Sequence, residues 1–298
     1  MPDFNWYTNK KIKAILDDST NEDILYFYWG HGLSFILPFI RKVKAKKVFR
    51  VHRGDLYEDL YNNYFPFRSN QLSVCDYVIP ISNDGCLYLK KKYPDYYKKI
   101  KLFRLGVHSH EKLSPSRDCH SLNIVSCSAL ISVKRDNLII ETLKTGIKGK
   151  VNWIHFGDGE LMHDLKNQAK SLPPNIDYRF RGFVPNSSLL KHYCENQTDL
   201  FINVSFSEGI PVSIMEAMSY GIPVIATDVG GASEAITRDN GILLDRDFEI
   251  NELRKSINSI LDKKIIFDRM QVKESWREMF DASNNYNSFT NFLFKLKV

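Results

Sequence analysis

Short apolar segments alternate with segments of helical character along most of the chain. The apolar segments are rich in β-branched and aromatic residues, a composition that favours strands, and the segments between them, such as 136–145 and 159–171, favour helices. Strands that alternate with helices predict parallel sheets, and continuously apolar strands predict sheets covered on both faces. The predicted strands are 23–29, 47–52, 77–82, 99–107, 122–128, 151–157, 177–183, 200–205 and 223–228.

The polar segment 108–120, which contains Pro115, predicts a domain boundary. Four strands precede it and five or six follow, and 298 residues suffice for two domains. We therefore expect two Rossmann-like domains. No glycine-rich loop follows a strand ahead of residue 23, so we expect the first domain to be shortened. The predicted bounds are 1–107 for the first domain, 108–272 for the second, and 273–298 for a helical segment that packs back towards the first.

Composition is typical of a soluble globular protein, with 43% apolar and 26% charged residues. The best apolar segment, 33–40, is far shorter than the roughly 20 residues that span a bilayer, and the first residues lack the apolar core of a secretory signal. The five cysteines form no CxxC pair, which predicts reduced thiols in a cytoplasmic protein and neither a disulfide framework nor a zinc site.

The net charge of +6 is concentrated in two basic segments, 41–47 and 90–101, and tyrosines are interleaved with the lysines of the second. A solvated face is the leading interpretation of these segments. Contact with anionic lipid at the inner face of the membrane is the second. Nucleic acid is the least favoured partner, because no recognised binding motif accompanies the charge.

Two glutamates, Glu208 and Glu216, lie among apolar residues in the segment 207–231, where an unpartnered charge is rare. The pattern predicts a buried strand, a turn, and a helix that begins at Pro211 with Ile210 at the cap position. Because isoleucine cannot cap, the amide groups at 212–214 are predicted to lack partners, and such a helix start can bind phosphate.

Glu216 lies about 7–8 Å along this helix from Pro211, a distance that suits a ribose attached to a bound diphosphate. Glu208 then faces the group on the other side of the diphosphate. Two carboxylates beside an anion site suit a ligand with hydroxyl groups at both ends, such as a nucleotide sugar. In the alternative interpretation, Glu208 offsets a helix dipole and Glu216 faces solvent.

The segment 207–231 resembles retaining glycosyltransferases of family four, which have the GT-B fold: two Rossmann-like domains that face a cleft. Glu208 and Glu216 match the paired glutamates of that family, and Gly221, Gly230 and Gly231 match its later glycines. The resemblance implies that Glu208 contacts the donor sugar, that Glu216 contacts the ribose, and that the backbone near the diphosphate is Gly209, Ile210, Pro211 and Val212.

Lys134 matches a family lysine that stabilises the leaving group, but Ser128 and Ala129 replace the glycine and arginine of the usual pattern. Arg135 could supply the missing charge; a solvated loop is the alternative for both basic residues. The turn formed by Gly157, Asp158 and Gly159 resembles a loop on the nucleotide-base side. His52 matches a histidine near the reacting carbon, although a histidine at a strand end more often has a structural role.

The resemblance implies a metal-independent, cofactor-free hexosyltransferase that uses a nucleoside-diphosphate sugar with retention at the anomeric carbon. A glycan or lipid-linked acceptor and a role in bacterial surface polysaccharide or lipopolysaccharide synthesis are expected. The main alternative is a nucleotide-sugar-binding homologue without transferase activity. An epimerase or phosphorylase is a further alternative, although nothing marks the pyridoxal-phosphate lysine of a phosphorylase.

Overall fold

The computed structural model describes residues 9–58, 64–108, 110–115 and 121–296, which form two compact units. The first unit comprises Met1–Leu105 and Ser283–Val298, and the second comprises Gly106–Ala282. In the described residues each unit contains a parallel β-sheet connected through helices, so the predicted α/β class is confirmed. Among these residues, no helix combines the length and the apolar character that crossing a membrane requires.

The first unit is built on a three-stranded sheet in the order β1-β2-β3. Phe49 and Val51 of the central strand enter one apolar cluster, whereas Val48 joins Phe289 in a second cluster, so both faces of that strand are covered. The strands are β1 (Ile24–Phe27), β2 (Lys46–Val51) and β3 (Tyr77–Pro80), and the helices of this unit are α1 (Lys10–Asp18), α2 (Arg68–Val74), α3 (Asn83–Lys92) and all but the first residue of α11 (Ala282–Lys295).

The second unit has a six-stranded sheet in the order β6-β5-β4-β7-β8-β9. Its strands are β4 (Leu122–Cys127), β5 (Val151–Phe156), β6 (Ile176–Phe180), β7 (Leu200–Asn203), β8 (Val224–Thr227) and β9 (Gly241–Leu244). Its helices are α4 (Asp136–Lys144), α5 (Met162–Ala169), α6 (Asn186–Glu195), α7 (Val212–Ser219), α8 (Ala232–Ala235), α9 (Ile250–Leu261) and α10 (Arg269–Phe280). Buried aliphatic residues of β4, β5, β7 and β8 form the main core with α4 and α9.

One predicted strand is wrong, because segment 99–107 makes only isolated bridges. Ile100 bridges to Val78, and the amides of Lys101 and Phe103 donate to carbonyls of β3. The chain then leaves the sheet edge, and Val107 bridges to Asp281 instead. Extended backbone is present, but its pairing changes partner before a ladder can form. The other eight predicted strands are confirmed.

The strand order of the second sheet reverses direction between β4 and β7. Connections from β4 proceed through β5 to β6 on one side, and those from β7 proceed through β8 to β9 on the other. The loops that follow β4 and β7 therefore diverge from the same edge of the sheet. Ligands of open parallel sheets bind at such a switch point, outside the carboxyl ends of the strands.

Candidate functional site

Lys134 and Glu208 meet at this switch point. Lys134 ends a 3₁₀ turn after β4, and Glu208 lies in the loop after β7. The Lys134 ammonium nitrogen lies 2.5 Å from Oε1 of Glu208, and the side chains are 22% and 10% exposed. The amide of Asn203 lies 3.4 Å from the same carboxylate oxygen. The fold thus brings together two residues that the sequence nominated separately, and it places a positive charge where an anionic ligand could bind.

The loop that carries Glu208 is held by a close backbone contact with the turn at Gly230 and Gly231. The Gly231 amide donates to the Gly209 carbonyl at 2.5 Å. A Cβ atom at Gly230, which has a φ of +53°, would lie 2.0 Å from the Glu208 carbonyl oxygen, and one at Gly231 would lie 2.2 Å from a side-chain carbon of Ile210. Both positions therefore require glycine, and this packing fixes the backbone of the Glu208 loop.

The helix after this loop begins one residue later than predicted. Pro211 is extended, with a ψ of 119°, and occupies the cap position, so α7 starts at Val212 and Ile210 lies before the cap. No side chain caps the helix. The Ile214 amide donates to the Pro211 carbonyl at 3.1 Å, which corrects the prediction that it is free. Within the described part of the chain, the amides of Val212 and Ser213 are the helix-start donors without a backbone partner, and Val212 is 41% exposed.

A pocket of about 490 Å³ lies beside this edge of the second sheet. It is lined by residues from the loop after β4, the turn after β5, the start of α6 and the middle of α7. Three predicted site residues, Gly157, Asp158 and Glu216, line it. The other lining residues are Cys127, Ser128, Ala129, Phe156, Phe183, Val184, Asn186 and Leu189. Its mixture of apolar walls and a few polar groups is typical of small-molecule sites.

Two of the predicted turn glycines are required by close approach of backbone segments. Gly157 has a φ of +139°, and a Cβ atom there would lie 1.8 Å from the Ser128 carbonyl oxygen. A Cβ at Gly159 would lie 2.5 Å from the Leu130 carbonyl oxygen. Gly159 is not among the residues that line the pocket, so its contact with Leu130 serves to seat the turn against the loop after β4.

Glu216 is 8% exposed and forms part of the pocket wall. Burial raises the pKa of its carboxyl group, and a hydrogen bond from Asn186 acts in the opposite direction. The Asn186 amide nitrogen lies 2.7 Å from Oε1 of Glu216. Within the described residues this amide is the sole hydrogen-bonding partner of the carboxylate, and no cation there is paired with it. Glu216 thus offers acceptor capacity to a ligand.

Electrostatics connect the pocket with the Lys134 end of the site. Burial raises the pKa of the Cys127 thiol to about 12, with further increases from Glu216 and Asp136 and an opposing effect of Lys134. The thiol is therefore not a thiolate near neutral pH. Cys127 thus lies within electrostatic range of both Glu216 and Lys134.

A buried polar cluster beneath the loop after β4 was not predicted. Nδ1 of His155 lies 3.4 Å from Asp136 and 2.9 Å from the Ser126 hydroxyl, and Ser128 donates to Asp136 at 2.8 Å. Burial raises the pKa of Asp136 to about 7 and lowers that of His155 to about 4, so both groups favour their neutral forms. A histidine within an otherwise apolar strand is the signal that could have indicated it.

Arg135 is directed towards protein groups. Its Nε donates to the Val204 carbonyl at 2.8 Å, and its guanidinium lies 5.5 Å from the ring centre of Phe206. The residue adopts a left-handed conformation, with a φ of 55°. Burial lowers its pKa, although an arginine stays charged at neutral pH. In this arrangement Arg135 braces the loop after β7.

His52 lies in the first unit, at the end of β2, and is buried among aromatic residues. Its ring centre is 4.1 Å from that of Trp29 and 4.9 Å from that of Tyr28. Its backbone amide donates to Asp55, whose carboxylate also accepts from the Gly30 amide. These contacts fit a structural role for His52, and its catalytic role stays a prediction.

No group of three or more histidine, cysteine, aspartate or glutamate side chains is arranged to hold a metal ion in the part of the chain that the structure describes. The Asp245–Asp247 segment, whose acidic residues resemble a short metal motif, pairs Asp247 with Arg246 at 2.8 Å.

Residues 120–279 match a family model described as "Glycosyl transferases group 1". An O-antigen biosynthesis glycosyltransferase, WclY of Escherichia coli, is 27% identical over 215 residues, which are 66% of this chain and 58% of that protein. An E. coli UDP-Gal:alpha-D-GlcNAc-diphosphoundecaprenol alpha-1,3-galactosyltransferase is 32% identical over 119 residues, or 37% and 28% of the two chains. The matches thus span 58% of the length of the first curated relative and 28% of the length of the second.

Among solved structures, Anabaena Alr3699/HepE in complex with UDP and glucose superposes with a TM-score of 0.74. The sequences are 18% identical, and the match covers 98% of this chain and 83% of the other. At that identity the likeness establishes the fold, and the predicted GT-B class is confirmed.

Proposed function

The chain belongs to the group 1 glycosyl transferases, and we propose that it transfers a hexose from a nucleoside-diphosphate sugar to an acceptor hydroxyl, with retention. The arrangement at the carboxyl edge of β4 carries this proposal. There Lys134 pairs with Glu208 at 2.5 Å, and the same loop borders the pocket that contains Glu216. A cation, free amide donors and a buried acceptor together fit the diphosphate and the ribose of one ligand.

Stabilisation of the departing diphosphate is the main chemical task at this site. Negative charge on the leaving oxygens increases as the bond to the sugar breaks, and preorganised donors lower the barrier. We assign this role to Lys134 and to the amides at the start of α7. These groups supply positive charge without a metal, so we propose a metal-independent, cofactor-free reaction. Activity unchanged after EDTA treatment is the expected result.

Glu208 is assigned to the donor sugar, on the other side of the diphosphate from Glu216. Its carboxylate already neutralises the Lys134 ammonium group. When the diphosphate binds, the ammonium group can share its three donors between the carboxylate and a phosphate oxygen. Glu208 thus holds Lys134 in position and retains an oxygen that can accept from a sugar hydroxyl.

A bacterial surface glycan is the proposed destination of the sugar, with a glycan or a lipid-linked acceptor. The names of two relatives support this class, since one refers to O-antigen biosynthesis and the other to a diphosphoundecaprenol-linked sugar. We further propose that the protein acts in the cytoplasm and binds anionic lipid at the inner face of the membrane through the basic segment 90–101.

A panel of donors tests the proposal directly. The purified chain is mixed with UDP-glucose, UDP-galactose, UDP-N-acetylglucosamine and GDP-mannose, and thermal stabilisation and transfer to polyprenyl-diphosphate sugar acceptors are measured. Stabilisation by one donor and a product with the retained anomeric configuration are expected. If no donor raises the melting temperature at millimolar concentration, the proposed function is wrong.

A binding homologue without transfer activity is the second candidate. Ala129 stands where the family resemblance implies an arginine, and Arg135 donates to Val204 rather than facing the pocket. Both observations reduce the positive charge available to a leaving diphosphate. Donor binding without transfer to any acceptor of the panel would favour this candidate.

A further inference from the structure

Glu216 projects from α7 towards the start of α6, where it meets a single neutral partner. The amide nitrogen of Asn186 lies 2.7 Å from Oε1 of Glu216. Among the described residues, no group donates to Oε2, and both side chains line the pocket. A buried carboxylate without a cation is costly unless it accepts hydrogen bonds, so the vacant acceptor sites of Oε2 suit hydroxyl groups of a ligand.

The contact crosses between two helices and is directional. Asn186 is the first residue of α6 and its side chain is exposed to the pocket side, whereas Glu216 lies in the middle of α7. An amide group can donate to one carboxylate oxygen while leaving the other free. Asn186 therefore determines which oxygen of Glu216 faces the ligand, through a hydrogen bond to a charged group, which is stronger than one between neutral groups.

We propose that Asn186 is a positioning residue that holds Oε1 of Glu216 and presents Oε2 to the ribose hydroxyls, and that it thereby sets the preference for ribonucleotides over 2′-deoxyribonucleotides. The inference rests on the proposed function, since it assigns a ribose to this pocket. It adds a specificity determinant that lies outside both glutamates of the paired motif.

Three titratable side chains that are coupled to Glu216 stay neutral over the pH range of the test. Cys127 on β4, Tyr193 on α6 and Tyr220 on α7 are each electrostatically coupled to Glu216. The pKa values of Cys127 and Tyr220 are raised to about 12, and complete burial raises that of Tyr193 well above its ordinary value. Asp158 is a charged residue of the pocket lining, and Asp136, with a pKa raised to about 7, accepts a hydrogen bond from the lining residue Ser128. Both are present in the parent and in every variant, so their titration is common to all the proteins compared. A pH dependence that changes with residue 186 therefore reports on Glu216.

Two variants have opposite expected responses to pH. In Asn186→Ala the carboxylate loses its donor, its pKa rises further, and nucleotide binding is weakest at pH 5.5 and recovers towards pH 8.5. In Asn186→Asp a shared proton can replace the amide hydrogen bond at pH 5.5, whereas two ionised carboxylates repel each other at pH 8.5. That variant should therefore bind best at the acidic end. A purely structural role of Asn186 would not produce opposite trends.

The measurement is calorimetric titration of the full chain with UDP, GDP and their 2′-deoxy counterparts at pH 5.5, 7.0 and 8.5. The parent should prefer the ribonucleotide by about tenfold or more, and Asn186→Ala should reduce this preference to less than about threefold. Ser187→Ala, an exposed neighbour on α6 that does not line the pocket, should behave like the parent. Melting temperatures confirm that each variant is folded.

Different outcomes separate the inference from the proposed function. A parent that binds none of the four nucleotides would overturn the proposed function and this inference with it. A parent that binds them, together with an Asn186→Ala variant that keeps the same preference and the same pH profile, would overturn the inference alone. Parallel pH trends in the two Asn186 variants would also overturn it.

Discussion

The ammonium group of Lys134 donates to Oε1 of Glu208 across 2.5 Å, although the two residues are 74 positions apart in the chain. The contact exists because β4 and β7 are adjacent in the sheet, so the loops that follow them leave from one edge. Glu208 is nearly buried, and Lys134 is the cation that pairs with it among the described residues. The pair therefore links the architecture of the second sheet to the chemistry proposed for it.

Replacement of Lys134 by alanine should lower turnover by about 10²–10³-fold, the range seen when one donor to a developing anion is removed. The effect should fall mainly on kcat, because the charge that Lys134 stabilises increases as the bond breaks. Lys191→Ala serves as the control, since Lys191 is 70% exposed and pairs with an exposed glutamate. Sugar transfer by Lys134→Ala at the parental rate would show that the leaving-group role is wrong.

Gly157 should not tolerate a side chain, whereas its bridge partner should. Gly157→Ala would place a Cβ atom 1.8 Å from the Ser128 carbonyl oxygen, at a φ of +139°. Gly182, which bridges to Gly157, also has a positive φ, but nothing lies within 4 Å of the corresponding position. We expect Gly182→Ala to cost about 1–2 kcal/mol, the cost of a left-handed residue, and Gly157→Ala to cost clearly more.

Urea unfolding and nucleotide titration of both glycine variants check this prediction. Gly157→Ala should also weaken nucleotide binding, because the turn lines the pocket. Equal losses of stability in the two variants would mean that the Ser128 contact relaxes easily and does not shape the pocket.

Five of the six strands of the second sheet could be predicted from the sequence because β-branched and aromatic residues are concentrated in them, whereas β9 (Gly241–Leu244) is absent from the predicted strands. The strand predicted at 99–107 is wrong because apolar composition does not reveal where a chain changes its pairing partner. Ile100 bridges to Val78, whereas Val107 bridges to Asp281. The start of α7 was misplaced by one residue because proline suits both a cap position and a first turn. The sequence favoured Pro211 as the first helical residue, but its ψ of 119° is extended, so Pro211 is the cap residue.

The site was predictable only as far as its motif extends. Glu208, Glu216 and Lys134 were nominated by pattern and resemblance, and the structure places Lys134 against Glu208. Asn186 could not be nominated, because its contact with Glu216 depends on how two helices 30 residues apart approach each other. Arg135 was expected to face a ligand. Because the loop after β4 meets the loop after β7, its guanidinium group donates to the Val204 carbonyl instead.

Asp136 should make the stability of the protein depend on pH in an unusual direction. Burial raises its pKa from an ordinary value of 3.8 to about 7, so the folded state binds the proton more tightly than the unfolded state. Its contribution to stability is therefore full below pH 4 and is lost as pH rises towards 7. The pKa of His155 is lowered to about 4, so its effect on the pH dependence of stability has the opposite sign. His155 is present both in the parent and in the Asp136 variant described next.

The isosteric variant Asp136→Asn removes this titration. Its melting temperature should exceed that of the parent at pH 8 by at least about 4 °C, and the difference should shrink towards pH 5. Asp164→Asn, at a side chain that is 70% exposed, should leave the pH profile unchanged. If the two profiles of parent and Asp136→Asn are parallel from pH 5 to 8, Asp136 does not titrate in this range.

The basic segment 90–101 retains free lysines that could contact a membrane. Lys92 is paired with Glu58, and Lys99 donates to the Leu72 carbonyl, so both are directed towards protein groups. Lys90, Lys91, Lys98 and Lys101 are exposed. Each lysine near an anionic surface contributes about 1 kcal/mol of attraction at moderate salt. Lys90, Lys91 and Lys98, three of these four lysines, should therefore carry most of the binding.

Flotation with phosphatidylglycerol vesicles tests this assignment. The parent should float with the vesicles at about 20 mM salt and stay behind at about 500 mM, because exposed charges are screened at high ionic strength. Replacement of Lys90, Lys91 and Lys98 by glutamate should abolish flotation at low salt. The matched control exchanges Lys166, Lys170 and Lys191, which are also exposed. Each replacement of lysine by glutamate lowers the net charge by two, so both triple variants have a formal net charge of 0 instead of +6. If both triples lose flotation equally, attraction follows net charge, and the segment 90–101 has no particular role.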